Sequence, residues 1–261
     1  MNISILGSGN VATLLSKALI RIGHTIDAIY SRDIAHAQTL ANAIGCSHAI
    51  NRTDLLPQSD IYLFALKDDA LASVIQHLLQ NYYAVKGTWI HTAGSVSLSV
   101  FPKSVQSGVL YPMMTLSKDK DIDFKTIPLF VEGNTPQSFK VVENLANELS
   151  DTVYRLDSTK RKKLHLAAVF ANNFTNHCCT LAYQLLEKNG IEPTVLLPII
   201  DETAQKLHFL SPIEAQTGPA KRWDEKVINE QLCELADEPQ LRHIYQLMSQ
   251  SIHQHTLNKH D

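Results

Sequence analysis

The chain has 261 residues, enough for one large domain or two modest ones with an ample core. At 44% hydrophobic, 19% charged and a formal net charge of -3, it reads as an ordinary globular protein, without the basic footprint of a nucleic-acid binder. No apolar run is long enough for a membrane span, no signal peptide is expected ahead of so early a strand, and four cysteines without C-x-x-C spacing suit a reduced, cytoplasmic protein with no metal site.

Ile3, Ile5 and Leu6 open the chain as a short apolar run. Gly7-Ser8-Gly9-Asn10-Val11-Ala12 follows, then the helical pattern Val11, Leu14, Leu15, Ala18, Leu19, Ile22. A second apolar run, Thr25 to Tyr30, ends in Ser31-Arg32. Strand, glycine turn, helix and strand in this order predict a dinucleotide-binding fold. Gly7 permits the tight turn, Gly9 lets backbone approach a pyrophosphate, and Ala12 still allows close helix-strand packing. The helix N-terminus presents unpaired N–H groups to the phosphates, so Gly7, Ser8, Gly9, Asn10 and Val11 are the expected pyrophosphate site. The plain alternative is a glycine turn of structural use only.

The end of the second strand speaks to the cofactor. An NAD site usually places Asp or Glu there for the ribose hydroxyl. Here Asp27 is too early and Asp33 one step late, whereas Ser31 and Arg32 suit the 2′-phosphate of NADP, which a guanidinium binds with paired charge-assisted bonds. Otherwise Arg32 is a solvated charge opening the next helix.

Residues 33 to 44 read as a helix ended by Gly45, and Ser47 to Ile50 as a short strand. The unbroken run Ile61 to Leu66 predicts a strand buried on both faces, with a helix from about Lys67 to Gln80. Strands are expected at Gly87 to Thr92, Gly108 to Tyr111, Ile127 to Val131 and Thr152 to Arg155, with a helix from Thr135 to Leu149. This alternation is α/β and doubly wound, and ligands of such folds gather beyond the carboxyl ends of the strands. That rule singles out Leu66 and Lys67 for the cofactor, His91 as an acid/base candidate, and Ser95 and Tyr111 for the substrate.

Strand-like runs vanish after about Asp157. The reading is a Rossmann domain over 1–156 and an all-α domain over 157–261. Ser158 is the expected cap of a long helix with core positions Leu164, Ala167, Ala168, Ala171, Phe174, Cys178, Leu181 and Leu185. His165, Val169, Asn172, Asn173 and Asn176 fall near one face by three- and four-residue steps. His165 would move the proton that accompanies hydride transfer, and Asn172 or Asn173 would polarise a carbonyl. The rival reading is a polar network that fixes domain geometry. Lys160-Arg161-Lys162-Lys163 reads as a solvated helical face. In Thr217-Gly218-Pro219-Ala220-Lys221-Arg222-Trp223-Asp224, Arg222 is placed to meet an anionic substrate with Asp224 orienting it, unless the pair is a surface salt bridge of little worth.

These segments, with Ser211-Pro212-Ile213-Glu214-Ala215-Gln216, resemble a bacterial family of Rossmann-like NADP oxidoreductases whose helical C-terminal domain has no assigned function. They span nearly the whole chain. More loosely, the architecture is similar to pyrroline-5-carboxylate reductase, ketopantoate reductase and the 6-phosphogluconate dehydrogenase group. That likeness implies a small-molecule substrate, hydride transfer in an interdomain cleft, and a homodimer through the helical domain. Ketopantoate reductase and the 3-hydroxyacid dehydrogenases carry Lys four residues before Asn on a helix. Here Ala168, Val169 and Asn172 stand four before Asn172, Asn173 and Asn176, so His165 is expected to substitute. The missing lysine keeps open a non-catalytic NADP-binding sensor or scaffold. An S-adenosylmethionine site is disfavoured by Arg32, where an acidic residue would be needed.

Overall fold

A computed structural model describes residues 1–81, 86–115 and 122–257. The chain divides into two compact units, Met1–Asn172 and Asn173–Asp261. In the first, β1 (Asn2–Leu6), α1 (Asn10–Arg21), β2 (Thr25–Tyr30), α2 (Ile34–Ile44), β3 (Ala49–Ile50), β4 (Ile61–Phe64), α3 (Asp68–Asn81) and β5 (Thr88–His91) alternate as the apolar runs predict. They are followed by β6 (Ser107–Pro112), β7 (Leu129–Gly133), α4 (Pro136–Leu149), β8 (Val153–Arg155) and α5 (Ser158–Ala168). The strands form one sheet in the order β3-β2-β1-β4-β5-β6-β7-β8. All neighbours are parallel except β6 and β7, which pair antiparallel from Gly108↔Gly133 to Pro112↔Leu129. The chain reverses its direction of winding between β1 and β4, the position at which such sheets open a ligand crevice.

Period-two alternation sorts the core into two layers. Ile3, Ile5, Ile61, Leu63, Ile90 and Leu110 point to one face, where α1, α2 and α4 cover them. Leu6, Tyr62, Phe64 and Trp89 point to the other, against Leu71, Val74, Ile75 and Leu78 of α3. Each fully buried Leu or Ile contributes about 1.5–3 kcal/mol relative to exposure. β3 is shorter than Ser47 to Ile50 because it is an edge strand, paired only through Ala49 and Ile50.

Two expectations for the long helix need correction. Its cap is Asp157, whose carboxylate accepts from the Lys160 N–H at 2.8 Å, not Ser158. The Ser158 hydroxyl instead lies 2.8 Å from the Glu132 carboxylate and accepts from the Leu98 N–H at 2.9 Å. The basic run is not uniformly solvated either. Lys160, Lys162 and Lys163 are exposed, but Arg161 is 0% exposed. Its guanidinium pairs with Glu132 on β7 and donates to the Val96 carbonyl at 2.6 Å.

After Ala168 the chain enters a π-helical turn, Val169–Phe174, and continues as α6 (Thr175–Lys188). The turn breaks the regular phase on which the predicted core of this helix rested. Ala167, Ala171, Phe174, Cys178 and Leu185 are exposed, and Leu164, Ala168 and Leu181 only partly covered. The second unit continues through α7 (Leu197–Lys206), α8 (Pro212–Ala215), α9 (Pro219–Arg222), α10 (Glu225–Glu234) and α11 (Pro239–Leu257). Among its described residues only Ala220, Ile228, Leu235 and Ser249 are buried.

Arg161 fixes α5 against the sheet through one carboxylate. Glu132→Gln leaves a buried cation without its counter-charge, so urea unfolding is expected to show a loss of about 3–5 kcal/mol.

Candidate functional site

The first half of the site is the turn from β1 into α1. Gly7 holds φ +128°, and a Cβ there would stand 2.1 Å from the Ala65 carbonyl oxygen. Glycine is therefore obligatory where the backbone leaves β1 beside the end of β4. Gly9 is different: nothing in the protein lies within 4 Å of where its Cβ would be. Packing gives no reason for glycine at that position, whereas close approach of a ligand does. Gly9 is also the N-cap of α1 and brings no capping side chain to a first turn that begins with Asn10 and Val11. Ala12 is fully buried, as close packing of α1 on the sheet requires.

Ser8 donates from its hydroxyl to the Ser31 hydroxyl at 3.2 Å, which joins this turn to the end of β2. Arg32, next along, is exposed. Asp33 is occupied as the cap of α2, accepting from the Ala35 N–H at 2.9 Å. The set fits a dinucleotide: a bare glycine at the start of a helix for the pyrophosphate, then the Ser31 hydroxyl and the Arg32 guanidinium, which suit a 2′-phosphate, beside the Asp33 carboxylate, which keeps its charge.

The second half lies beyond β4, β5 and β6. Leu66 is partly buried, Lys67 exposed, and the Ser95 hydroxyl donates to the carboxylate of Asp68. The Tyr111 hydroxyl, at the end of β6, is 3.1 Å from Nδ1 of His165 on α5. Their rings meet edge to face with centroids 6.0 Å apart. Both rest on Gly94, where a Cβ would come within 2.7 Å of the Tyr111 ring and 2.8 Å of His165 Nδ1. Burial holds the Tyr111 phenol above its usual pKa; the Arg161 cation works against that shift and the Asp68 carboxylate with it. Ser95, Tyr111 and His165 are thus brought together with Asp68, which supplies a hydroxyl pair, an imidazole and a carboxylate at one corner of the sheet.

Other candidates fall elsewhere. His91 is 0% exposed and has no surface for a substrate, a correction to its acid/base reading. It sits 5.6 Å from the Phe101 ring and accepts from the Ala93 N–H at 3.2 Å. Burial first, then the Arg161 cation, push its pKa down to about 3, with a bond to the Ser97 backbone opposing. Asn172 and Asn173 are exposed in the π turn. Arg222, also exposed, belongs to the second unit, and Asp224 does not orient it but caps α10 by accepting from the Val227 N–H at 3.3 Å. No group of His, Cys, Asp or Glu among the described residues is arranged to hold a metal.

Sequence reasoning passed over Asp68, Gly94 and Arg161. Arg161 was within reach, since it precedes His165 by one helical turn and so shares its face. The other two gave no signal without knowledge of which strands are neighbours.

Two family models match the chain: NADP oxidoreductase coenzyme F420-dependent over residues 2–87, and a domain of unknown function, DUF2520, over residues 127–252. A search of curated protein sequences returned no match. Among solved structures, a provisionally named NADP oxidoreductase of Bacteroides fragilis is 43% identical, with 97% of this chain and 98% of that one covered and a TM-score of 0.89. A Thermotoga maritima protein is 22% identical over 99% of this chain and 100% of its own, TM-score 0.75. The pyrroline-5-carboxylate reductase of Streptococcus pyogenes, 16% identical over 97% and 98%, TM-score 0.62, shares the fold.

The state of His91 has a measurable consequence. Unfolded histidine titrates near about pH 6.5, so below that value the unfolded chain binds the proton that folded His91, with its pKa of about 3, refuses. Its contribution to stability is complete above about pH 6.5 and is lost at about 1.4 kcal/mol per pH unit below it. Urea unfolding of His91→Gln is expected to show a shallower decline than wild type between about pH 6 and about pH 4.

Proposed function

We propose that this chain, which belongs to the family of NADP oxidoreductases with a C-terminal DUF2520 domain, transfers a hydride between NADP(H) and a small carbonyl, imine or hydroxy compound. The observation that carries the reading is the turn at Gly7 to Val11, where packing demands Gly7 and the space beside Gly9 is open, which leaves room for close approach of a pyrophosphate. Gly7, Ser8, Gly9, Asn10 and Val11 would hold the pyrophosphate, and Ser31 and Arg32 the 2′-phosphate. Leu66 and Lys67 at the end of β4, and beyond them Ser95 and Tyr111 after β5 and on β6, would line the nicotinamide half. A bound NADP(H) supplies or takes the hydride. His165 and Tyr111 handle the accompanying proton, and Gly94 keeps both rings in place. Residues 1–156 serve the nucleotide, and residues 157–261 bring His165 and the surface for self-association.

A homodimer through the helical domain is part of the proposal. Phe170 is 62% exposed, Val195 60%, Ile199 63% and Phe209 87%, in a region with almost no core of its own. Apolar exposure on this scale is normally covered by a partner. Sedimentation of the purified chain is expected to give twice the monomer mass, and a monomer would remove this element.

The cofactor is tested by titrating NADPH and NADH into wild type and Arg32→Ala. Wild type should prefer NADPH, and the substitution should weaken NADPH by about tenfold to a hundredfold, leaving NADH unchanged. Equal affinity for both nucleotides in wild type would discard the 2′-phosphate reading. Binding of neither would discard hydride transfer to or from these cofactors.

A further inference from the structure

We infer that Tyr111 is the group that hands a proton to the substrate and that His165 resupplies it through Nδ1, so that His165 acts through the phenol and does not itself meet the substrate. The inference rests on the hydride-transfer reading above and deepens it.

The arrangement is a short chain of proton carriers. Nδ1 of His165 is committed to the Tyr111 hydroxyl at 3.1 Å, so this imidazole nitrogen meets the phenol and not a ligand. The phenolic oxygen has a second neighbour, the Met113 sulfur at 3.6 Å. When the phenol donates toward sulfur, its oxygen is open to receive the Nδ1 proton of His165; when it donates to Nδ1, the reverse holds. The hydroxyl thus has two bonding states, which a proton relay needs.

Geometry keeps the pair in register. Gly94 leaves no room for a side chain between the two rings, and α5 is held by Arg161, one turn before His165 on the same face. Arg161 also matters electrostatically. Burial raises the pKa of the Tyr111 phenol, the buried Arg161 cation offsets part of that cost of a phenolate, and the Asp68 carboxylate adds to it. A fixed cation near an acid that must briefly lose its proton stabilises the charge that develops there.

The relay serves a C=O or a C=N bond alike. A carbonyl carbon that accepts hydride pushes its C=O π pair onto oxygen, and that oxygen takes the phenolic proton as the Tyr111 O–H bond breaks. An imine carbon that accepts hydride places its π pair on nitrogen, and that nitrogen takes the phenolic proton in the same way. Tyr111 then takes the Nδ1 proton of His165 as Nε2 gains one from water, which leaves as hydroxide. Oxidation runs the same transfers backward.

The test uses the full chain in two arms. In the first, histidine labelled with nitrogen-15 is followed by NMR in wild type and Tyr111→Phe, with His165→Gln identifying the His165 signals. The expected result is a clear displacement of the His165 Nδ1 resonance in Tyr111→Phe, with the other histidines unmoved; an unmoved Nδ1 resonance overturns the pairing. In the second, NADPH oxidation is measured with pyruvate, oxaloacetate and acetaldehyde beside pyrroline carboxylate. Turnover of one of these compounds, reduced about 10²–10⁴-fold in kcat by Tyr111→Phe with NADPH affinity kept, is the expected outcome. A kcat indifferent to Tyr111→Phe overturns the inference and leaves hydride transfer standing. Failure of wild type to bind NADPH brings down the underlying reading instead.

Discussion

A guanidinium with no access to water must be answered by a carboxylate and by acceptors for its remaining N–H groups, or it would cost several kcal/mol to keep there. Arg161 is such a group, and much of the first unit is arranged around it. Glu132 of β7 supplies the charge, Val96 after β5 a carbonyl and Ser158 at the start of α5 a hydroxyl, while Nε of Arg161 meets no acceptor among the described residues. Three segments that are distant in sequence are thereby pinned at one point. His165 lies one helical turn further on, so the position of its imidazole follows from the burial of the arginine. The same cation helps to keep His91 neutral inside the aromatic cluster of Phe64, Trp89 and Phe101.

The helical region presents the opposite situation. Its residues have helical propensity and capped ends, as at Ser211 with its reciprocal Glu214 bond and at Asp224 on α10. Its apolar side chains nevertheless remain largely uncovered. Local interactions suffice to set helices, but burial of apolar surface stabilises them, and in this region that surface faces outward.

The sequence was most legible where one residue determines one backbone state. The β1–α1 turn follows from Gly7 and Gly9, and the buried strand β4 from an unbroken run of Ile61 to Leu66. The covering of α1 follows from the spacing of Leu14, Leu15, Ala18 and Leu19. It was least legible where a side chain's fate depends on distant partners. Arg161 looks like its lysine neighbours until Glu132 is known to lie opposite. His91 looks like a catalytic histidine until the rings around it are in place. The π turn at Val169–Phe174 has no marker of the glycine or proline kind, and it breaks the regular spacing from which the core of the helix is expected. Of the candidate site, the cofactor half could be read from motif and position; the Tyr111–His165 contact, spanning 54 residues, could not.

Gly94 carries one more consequence. Its Cα is the floor on which two aromatic rings stand, so positions 94, 111 and 165 do not vary independently. A methyl added at 94 is harmful while either ring is present and harmless only once both have shrunk. The cost of a substitution at one position thus depends on the state of the other two, and effects measured singly would not sum. For a lineage drifting through sequence space, this trio is a ratchet: the glycine can be replaced only after both the tyrosine and the histidine have gone, and once it is replaced the larger rings cannot easily return.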